Sequence, residues 1–276
     1  MATLARDLGP DELKQSVLEL GGKPLHARLF ASWVLERGLE SFDQASDLPL
    51  ELRRLLAERF SLEAATIAER VEDRDGTRKL LLGLRDGETI EMVMIPEGER
   101  NTLCVSSQVG CPVGCIFCAS GLFGVRRNLG CAEIVEQFLL ARGELGDRPL
   151  TNLVVMGLGE PMLNLANLLP ALGMISNPRG LAFSPRRITV STSGFPERIR
   201  ELARSGRGYE LAVSLHAADP DLRRKLVPTS TEDPEALVLA AMDYRRVTGR
   251  EPSFEVVLLA GLNDGPEHAR GLGRLL

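Results

Sequence analysis

The chain carries five cysteines, all between Cys104 and Cys131. A secreted disulfide scaffold uses an even number spread along its length, so this clustering reads as metal or redox chemistry. Cys111, Cys115 and Cys118 follow a C-x3-C-x2-C spacing that lets three thiolates point inward around a soft metal centre. A closed structural zinc site takes four ligands. This loop supplies three, which suits a cubane iron–sulfur cluster with one iron open to a substrate or cofactor. A zinc knuckle that recruits Cys104 or Cys131 as fourth ligand is the alternative, and spacing alone leaves it open.

The elements that must position this loop follow from hydrophobic period. Strand patterns at 102–106, 152–156, 187–191, 210–214 and 253–259 alternate with helical patterns at 131–144, 165–176, 196–204, 221–226 with 234–247, and 266–276. Repeated βα units predict an α/β fold, a parallel sheet with helices on its outer face, either open or curled into a partial barrel. Ligands then bind at the carboxyl ends of the strands, and the cysteine loop follows the first of them. Upstream, residues 11–60 read as three short helices, the first capped by Asp11. The period changes to two at 79–84 and 89–95, which flank Asp86-Gly87 and predict a hairpin. Glu91 shares a hairpin face with Thr89, Val93 and Ile95. The expected organisation is a helical domain at 1–70, a β-hairpin extension at 71–101 and the α/β core at 102–276.

Lys+Arg of 33 against Asp+Glu of 38 gives a net charge of −5, which excludes a partner bound through bulk positive charge. Any RNA contact must be local. The basic doublets Arg126-Arg127, Arg186-Arg187, Arg223-Arg224 and Arg245-Arg246 could contact phosphate, though most such pairs are solvated faces. No apolar run approaches the ~20 residues of a membrane span. No secretory pattern opens the chain, so the expectation is a cytoplasmic protein without membrane partners.

Five ordered words surround the cysteine loop: LCVSSQVGC at 103–111, MGLGEP at 156–161, STSG at 191–194, SLHA at 214–217 and NDG at 263–265. Together with the cysteine spacing, they resemble the RlmN/Cfr family of radical S-adenosylmethionine (radical SAM) RNA adenine methyltransferases. The resemblance implies a radical SAM partial (β/α) barrel with about five of six βα units present. It implies that Cys111, Cys115 and Cys118 ligate a [4Fe–4S] cluster whose free iron chelates S-adenosylmethionine, with Phe117 packed near it. Gly159, Glu160, Ser191, Ser214, Leu215 and His216 become the cofactor contacts. Cys104 becomes the cysteine that attacks a covalent protein–RNA intermediate, which requires a lowered pKa or a nearby base. Glu91 becomes the proton acceptor, its pKa expected to rise among apolar neighbours. Arg127-Asn128-Leu129 resembles the family's segment after the cluster loop, which makes Arg126-Arg127 the doublet expected to meet phosphate. The implied partners are 23S rRNA, tRNA and a reducing protein such as flavodoxin, and the implied state is a monomer.

For several of these residues the plainer reading stays open. His216 can complete a core hydrogen bond, Cys104 can be an ordinary buried thiol, and Glu91 can be a solvated strand glutamate. The implied activity is methylation at C2 of adenosine. Methylation at C8, a non-catalytic RNA-binding paralogue and a radical SAM enzyme with an unrelated substrate are the rivals. Relatives carry a sixth strand and a methyl-carrying cysteine after it, and no cysteine follows Cys131 here. The expectation is therefore a truncated chain that lacks its methyl carrier and leaves the fifth strand with an unpaired edge.

Overall fold

The computed structural model describes residues 2–230 and 232–276. Its N-terminal part holds β1 (Thr3–Leu4), α1 (Pro10–Glu19), α2 (Pro24–Leu35), α3 (Leu50–Arg59) and β2 (Phe60–Ser61), with β1 and β2 paired in parallel. The N-cap of α1 is Gly9 rather than Asp11. Pro10 starts the helix, and the Glu12 carboxylate accepts from the Gly9 N–H at 2.8 Å. These helices close over their own core of Leu13, Val17, Phe30, Val34, Leu56 and Phe60.

The strands that follow are β3 (Ala65–Glu72), β4 (Arg78–Leu84), β5 (Thr89–Glu97) and β6 (Arg100–Cys104), then the short pair β7 (Gln108–Gly110) and β8 (Val125–Asn128). The alternating half contains α4 (Cys131–Leu145), β9 (Asn152–Val155), α5 (Leu165–Ile175), β10 (Ile188–Thr192), α6 (Pro196–Arg204), β11 (Glu210–Ser214), α7 (Pro220–Leu226), α8 (Pro234–Thr248), β12 (Ser253–Glu255) and α9 (Pro266–Leu275). One eight-stranded sheet runs in the order β12-β11-β10-β9-β6-β5-β4-β3. Its five strands from β6 to β12 are parallel, and β5, β4 and β3 extend it as an antiparallel meander.

The expected hairpin therefore has a third strand. β3 escaped the period-of-two test because a bulge between Ile67 and Glu69 breaks its alternation and most of it is exposed. The fifth parallel strand is shorter than its apolar run: pairing stops at Glu255 and the chain turns into a loop.

Strand period sorts the sheet's two faces. Leu103, Leu153, Val155, Ile188, Val190 and Leu211 pack under α4, α5, α6 and α8 in the main core. On the opposite face Val93, Cys104, Val154, Thr189 and Glu210 lie side by side in one registered row. Glu91, Ser191 and Ser214 belong to this second face, each an even number of residues along its strand from that row. Among the described residues no helix is long and apolar enough to cross a membrane.

Candidate active site

A single cavity of about 270 Å³ opens at the carboxyl ends of the parallel strands. Its walls include Cys111, Cys115 and Cys118 from the loop, Gly159 and Glu160 after β9, Ser191 on β10, and Ser214 and His216 at the end of β11. Eight residues spread over more than a hundred positions thus share one mouth, as expected of strand ends in a parallel sheet.

The loop is fixed from several sides. Cys111 N donates to Gly124 O at 3.0 Å, Ile116 N to Leu226 O at 3.1 Å, and the Thr229 hydroxyl to Val113 O at 2.6 Å. Leu222 and Leu226 of α7 pack against the loop beside Cys111 and Cys115. Gly110, at φ +77°, lets the chain pass the Gly124 carbonyl where a Cβ would sit 2.0 Å from it. Burial and the mutual repulsion of neighbouring thiols push Cys115 up to about 11, and burial raises Cys111 as well. Thiols held this way release protons when a metal binds.

The donor set also says which metal centre fits. Tetrahedral zinc, with Zn–S bonds of ~2.3 Å, draws its sulfurs to within about 4 Å of each other. Among the described residues no three His, Cys, Asp or Glu side chains converge closely enough to hold one ion. Neither Cys104 nor Cys131 lines the cavity; Cys131 starts α4 inside the main core. Three cysteines in the cavity, one short of the four ligands of a closed zinc site, suit a polynuclear centre in which each thiolate takes a different metal. The zinc knuckle fits less well.

Glu160 is 2% exposed, and burial raises its pKa. Its carboxylate accepts from Ser193 N at 2.8 Å, Ser193 Oγ at 2.7 Å and Met162 N at 3.0 Å. A fourth hydrogen bond, from the Thr192 side chain, also favours its charged form, so the carboxylate is held firmly at the cavity wall. Gly159, at φ +108°, brings the backbone against Ser107 and Gln108, where a Cβ would meet atoms at 2.7 Å. Gln108 closes the turn: its Oε1 accepts from Glu160 N at 2.8 Å while its Nε2 donates to Asn128 Oδ1 at 2.7 Å.

His216 adopts φ +62°, unusual for a residue with a Cβ. Its Nδ1 accepts from Val257 N at 3.3 Å, its ring meets Phe117 edge-on at 4.7 Å, and Asn263 Nδ2 donates to its carbonyl at 3.0 Å. Burial, helped by the positive charge of Arg223, lowers its pKa to about 4, so the ring is neutral at physiological pH. The plainer reading of His216, a satisfied hydrogen bond, holds together with its position on the cavity wall. Leu215 does not reach the cavity. It is fully buried in the main core, because the residue after Ser214 turns to the opposite side.

Two predicted groups lie outside this cavity. Glu91 lines an adjoining open cleft of about 440 Å³ with Gly110, Ser120, Phe123 and Arg126. Its side chain is 41% exposed and pairs with Lys79 Nζ at 2.9 Å, so the apolar burial expected for it is not what surrounds it. Cys104 sits on the same sheet face, and burial pushes its thiol up to about 11, so of the two conditions expected for attack, a lowered pKa or a nearby base, the first is not met within the chain. Arg127, the expected phosphate contact, is occupied: it grips both oxygens of Glu133 at 2.8 and 2.9 Å and Asp86 at 2.7 Å. Ser193, Gln108 and Asn263 stood inside the quoted motifs without being singled out, since nothing local in sequence marks a hydrogen-bond partner thirty or more residues away.

Comparison with known proteins agrees with this geometry. The radical SAM superfamily model matches residues 105–270, a span that contains every residue lining the cysteine cavity. A probable dual-specificity RNA methyltransferase RlmN from Rhodopirellula baltica is 47% identical over 268 residues, 96% of this chain and 72% of that protein. The RlmN of Syntrophobacter fumaroxidans is 43% identical over 98% of this chain and 80% of its own length. The chain belongs to the RlmN family of radical SAM enzymes. The crystal structure of a radical SAM methyltransferase from Sphaerobacter thermophilus superposes with a TM-score of 0.88 at 41% identity, covering 99% of this chain and 82% of that one. RlmN relatives align over the N-terminal helices too, so Glu91 and Cys104, which lie before the superfamily match, fall within the family's shared length.

Proposed function

We propose that this chain is a radical SAM methyltransferase that acts on C2 of adenosine in 23S rRNA and tRNA. The observation that carries this reading is the strand-end cavity in which three cysteines share walls with Glu160, Ser191, Ser214 and His216. Cys111, Cys115 and Cys118 would hold a [4Fe–4S] cluster, and the strand-end groups would hold S-adenosylmethionine against it. When bound, the pair supplies one-electron reductive cleavage of a carbon–sulfur bond, with the electron drawn from a low-potential donor of the flavodoxin type.

The protein's own groups divide the remaining work. Glu160, on the cavity wall, would accept an ammonium hydrogen, a charge-assisted bond strengthened by burial. Ser191 and Ser214 offer hydroxyls to a ribose or carboxylate. Neutral His216, whose Nδ1 accepts from Val257 N, keeps its proton on Nε2 and acts as wall and hydrogen-bond donor rather than as an acid, given its low pKa. RNA would enter over the adjoining cleft, where Phe123 is 91% exposed and offers an open face for an unpaired base to stack on. Glu91 stands in that cleft as proton acceptor and Cys104 on the neighbouring strand as nucleophile. The latter role requires that RNA or a base lower the thiol from about 11.

The test is mass analysis of modified adenosine in a strain from which the gene is deleted. Loss of 2-methyladenosine from both 23S rRNA and tRNA is expected. Loss of 8-methyladenosine instead would assign the other ring carbon, and unchanged adenosine methylation would overturn the reading.

A further inference from the structure

Arg223 on α7 is only 1% exposed. Its guanidinium donates to Leu215 O at 3.1 Å, to Ser214 O at 3.3 Å, to Ser193 O and to the Ser230 hydroxyl. Every acceptor is neutral. Among the described residues no carboxylate lies within 4 Å of it, and Glu232, whose charge it feels, is exposed. A buried cation without a counter-charge costs several kcal/mol, and neutral carbonyls could have been bridged by an uncharged side chain. Retaining a full charge here points to an anion that completes the site.

The anion is suggested by position. Arg223 stands behind the wall of the cysteine cavity, since Ser193 and Ser214, whose carbonyls it holds, both line that cavity. Its neighbours Leu222 and Leu226 pack on the cysteine loop beside Cys111 and Cys115. A cluster held by three thiolates carries net negative charge, and one-electron reduction makes that charge larger.

We propose that Arg223 is the resident counter-charge of the cysteine cavity, tying the ends of β10 and β11 together while favouring the reduced state of the cluster bound there. This rests on the reading that the three cysteines hold an iron–sulfur cluster. In the step concerned, one electron enters the cluster from an external one-electron reductant, and no bond forms or breaks. Arg223 acts through space on that electron and touches no reacting atom, so it is a positioning residue.

The experiment compares the wild type with Arg223→Gln, Arg223→Lys, Ser230→Asp and Ser230→Asn, each reconstituted anaerobically with iron and sulfide. Iron and sulfide per chain are counted, and the reduced-cluster signal is followed by electron paramagnetic resonance through a potential titration with dithionite. Ser230→Asp leaves the guanidinium in place and neutralises it with an adjacent carboxylate, and Ser230→Asn controls for size. Arg223→Gln and Ser230→Asp should load iron normally and titrate at more negative potential. At the wild-type midpoint their ratio of reduced to oxidised cluster should fall about tenfold. Arg223→Lys and Ser230→Asn should stay near wild type. If Arg223→Gln does not fold, the Ser230 pair decides alone. Iron-loaded Ser230→Asp titrating at the wild-type potential, or Ser230→Asn shifting as far as Ser230→Asp, overturns the counter-charge. A wild type that loads no iron overturns the cluster reading itself, and is distinguished by the iron count before any titration.

Discussion

Two arginines are sealed inside this protein, and their surroundings differ in one respect. Arg6, where the N-terminal helices meet α4, donates to Leu39 O at 2.6 Å, to Leu62 O at 2.5 Å and to the Glu136 carboxylate at 3.2 Å. Arg223, behind the cysteine cavity, has carbonyls and a hydroxyl but no carboxylate. The junction closes its charge within the chain and works as glue between two separate cores. Asp7, next to Arg6, adds to it by accepting from Ala132 N at 2.8 Å, a helix cap supplied from 125 residues away. The cavity wall keeps its positive charge uncompensated, as a site does when part of its charge balance arrives with a ligand.

The sharpest way to break this contrast is to remove what the cavity is built to receive. Replacing Cys111, Cys115 or Cys118 singly with Ala should abolish iron and sulfide binding after anaerobic reconstitution. Cys131→Ala should retain both, because Cys131 is packed in the core at the start of α4. Equal loss in Cys131→Ala would mean the three-cysteine loop is not the ligand set.

On the other side of the contrast, Arg6→Ala leaves Glu136 buried without its partner. Without Arg6 the buried carboxyl is pushed higher still and holds a proton that solvent at pH 8 would remove, so the cost there should be about 3–5 kcal/mol by urea unfolding. Replacing both partners with apolar residues, Arg6→Met with Glu136→Leu, should restore most of that loss, since a paired buried charge contributes little beyond its own desolvation. If the double variant is no more stable than Arg6→Ala, the junction depends on more than this pair.

Neither arginine was legible in the sequence. Arg6 stands in an unremarkable N-terminal segment, and Arg223 was one half of a doublet read as solvated, although only its neighbour Arg224 is exposed. Burial of a long charged side chain depends on which helix face packs inward, and α7 is too short for its period to announce that. The elements themselves were far more readable. Proline at the first helical position marks α1, α2, α6, α7, α8 and α9, and alternating apolar runs marked β4 to β6 and β9 to β11 within one or two residues. That the cysteines, Glu160, Ser191, Ser214 and His216 share one cavity was legible because strand ends of a parallel sheet meet at one edge. The Leu215 side chain faces the core rather than the cavity because in extended chain adjacent residues point to opposite faces. The exposure of Glu91 was misread because nothing local showed that Lys79, across the β4–β5 pairing, would reach it.

The smallest expected effect separates the two regions by the sign of their pH dependence. Burial outweighs the pull of Arg6 and raises Glu136 from 4.5 to about 7. Burial, with a further push from Arg223, lowers His216 from 6.5 to about 4. Between pH 4.5 and 7 the folded chain holds a proton on Glu136 that the unfolded chain has released, so this site loses stability as pH rises through that window. Between pH 4 and 6.5 the unfolded chain holds a proton on its histidine that folded His216 lacks, so the cavity wall gains stability as pH rises. The two slopes, each at most ~1.4 kcal/mol per pH unit, oppose one another from pH 4.5 to 6.5. Removing either should expose the other. Glu136→Gln should therefore gain stability with rising pH more steeply than the wild type over that range. His216→Asn, chosen because Asn tolerates φ +62°, should shift the slope the opposite way. Unfolding free energies measured by urea from pH 4.5 to 8 on the metal-free chain would show it. Parallel profiles for all three proteins would mean that neither group carries the burial-driven shift assigned to it.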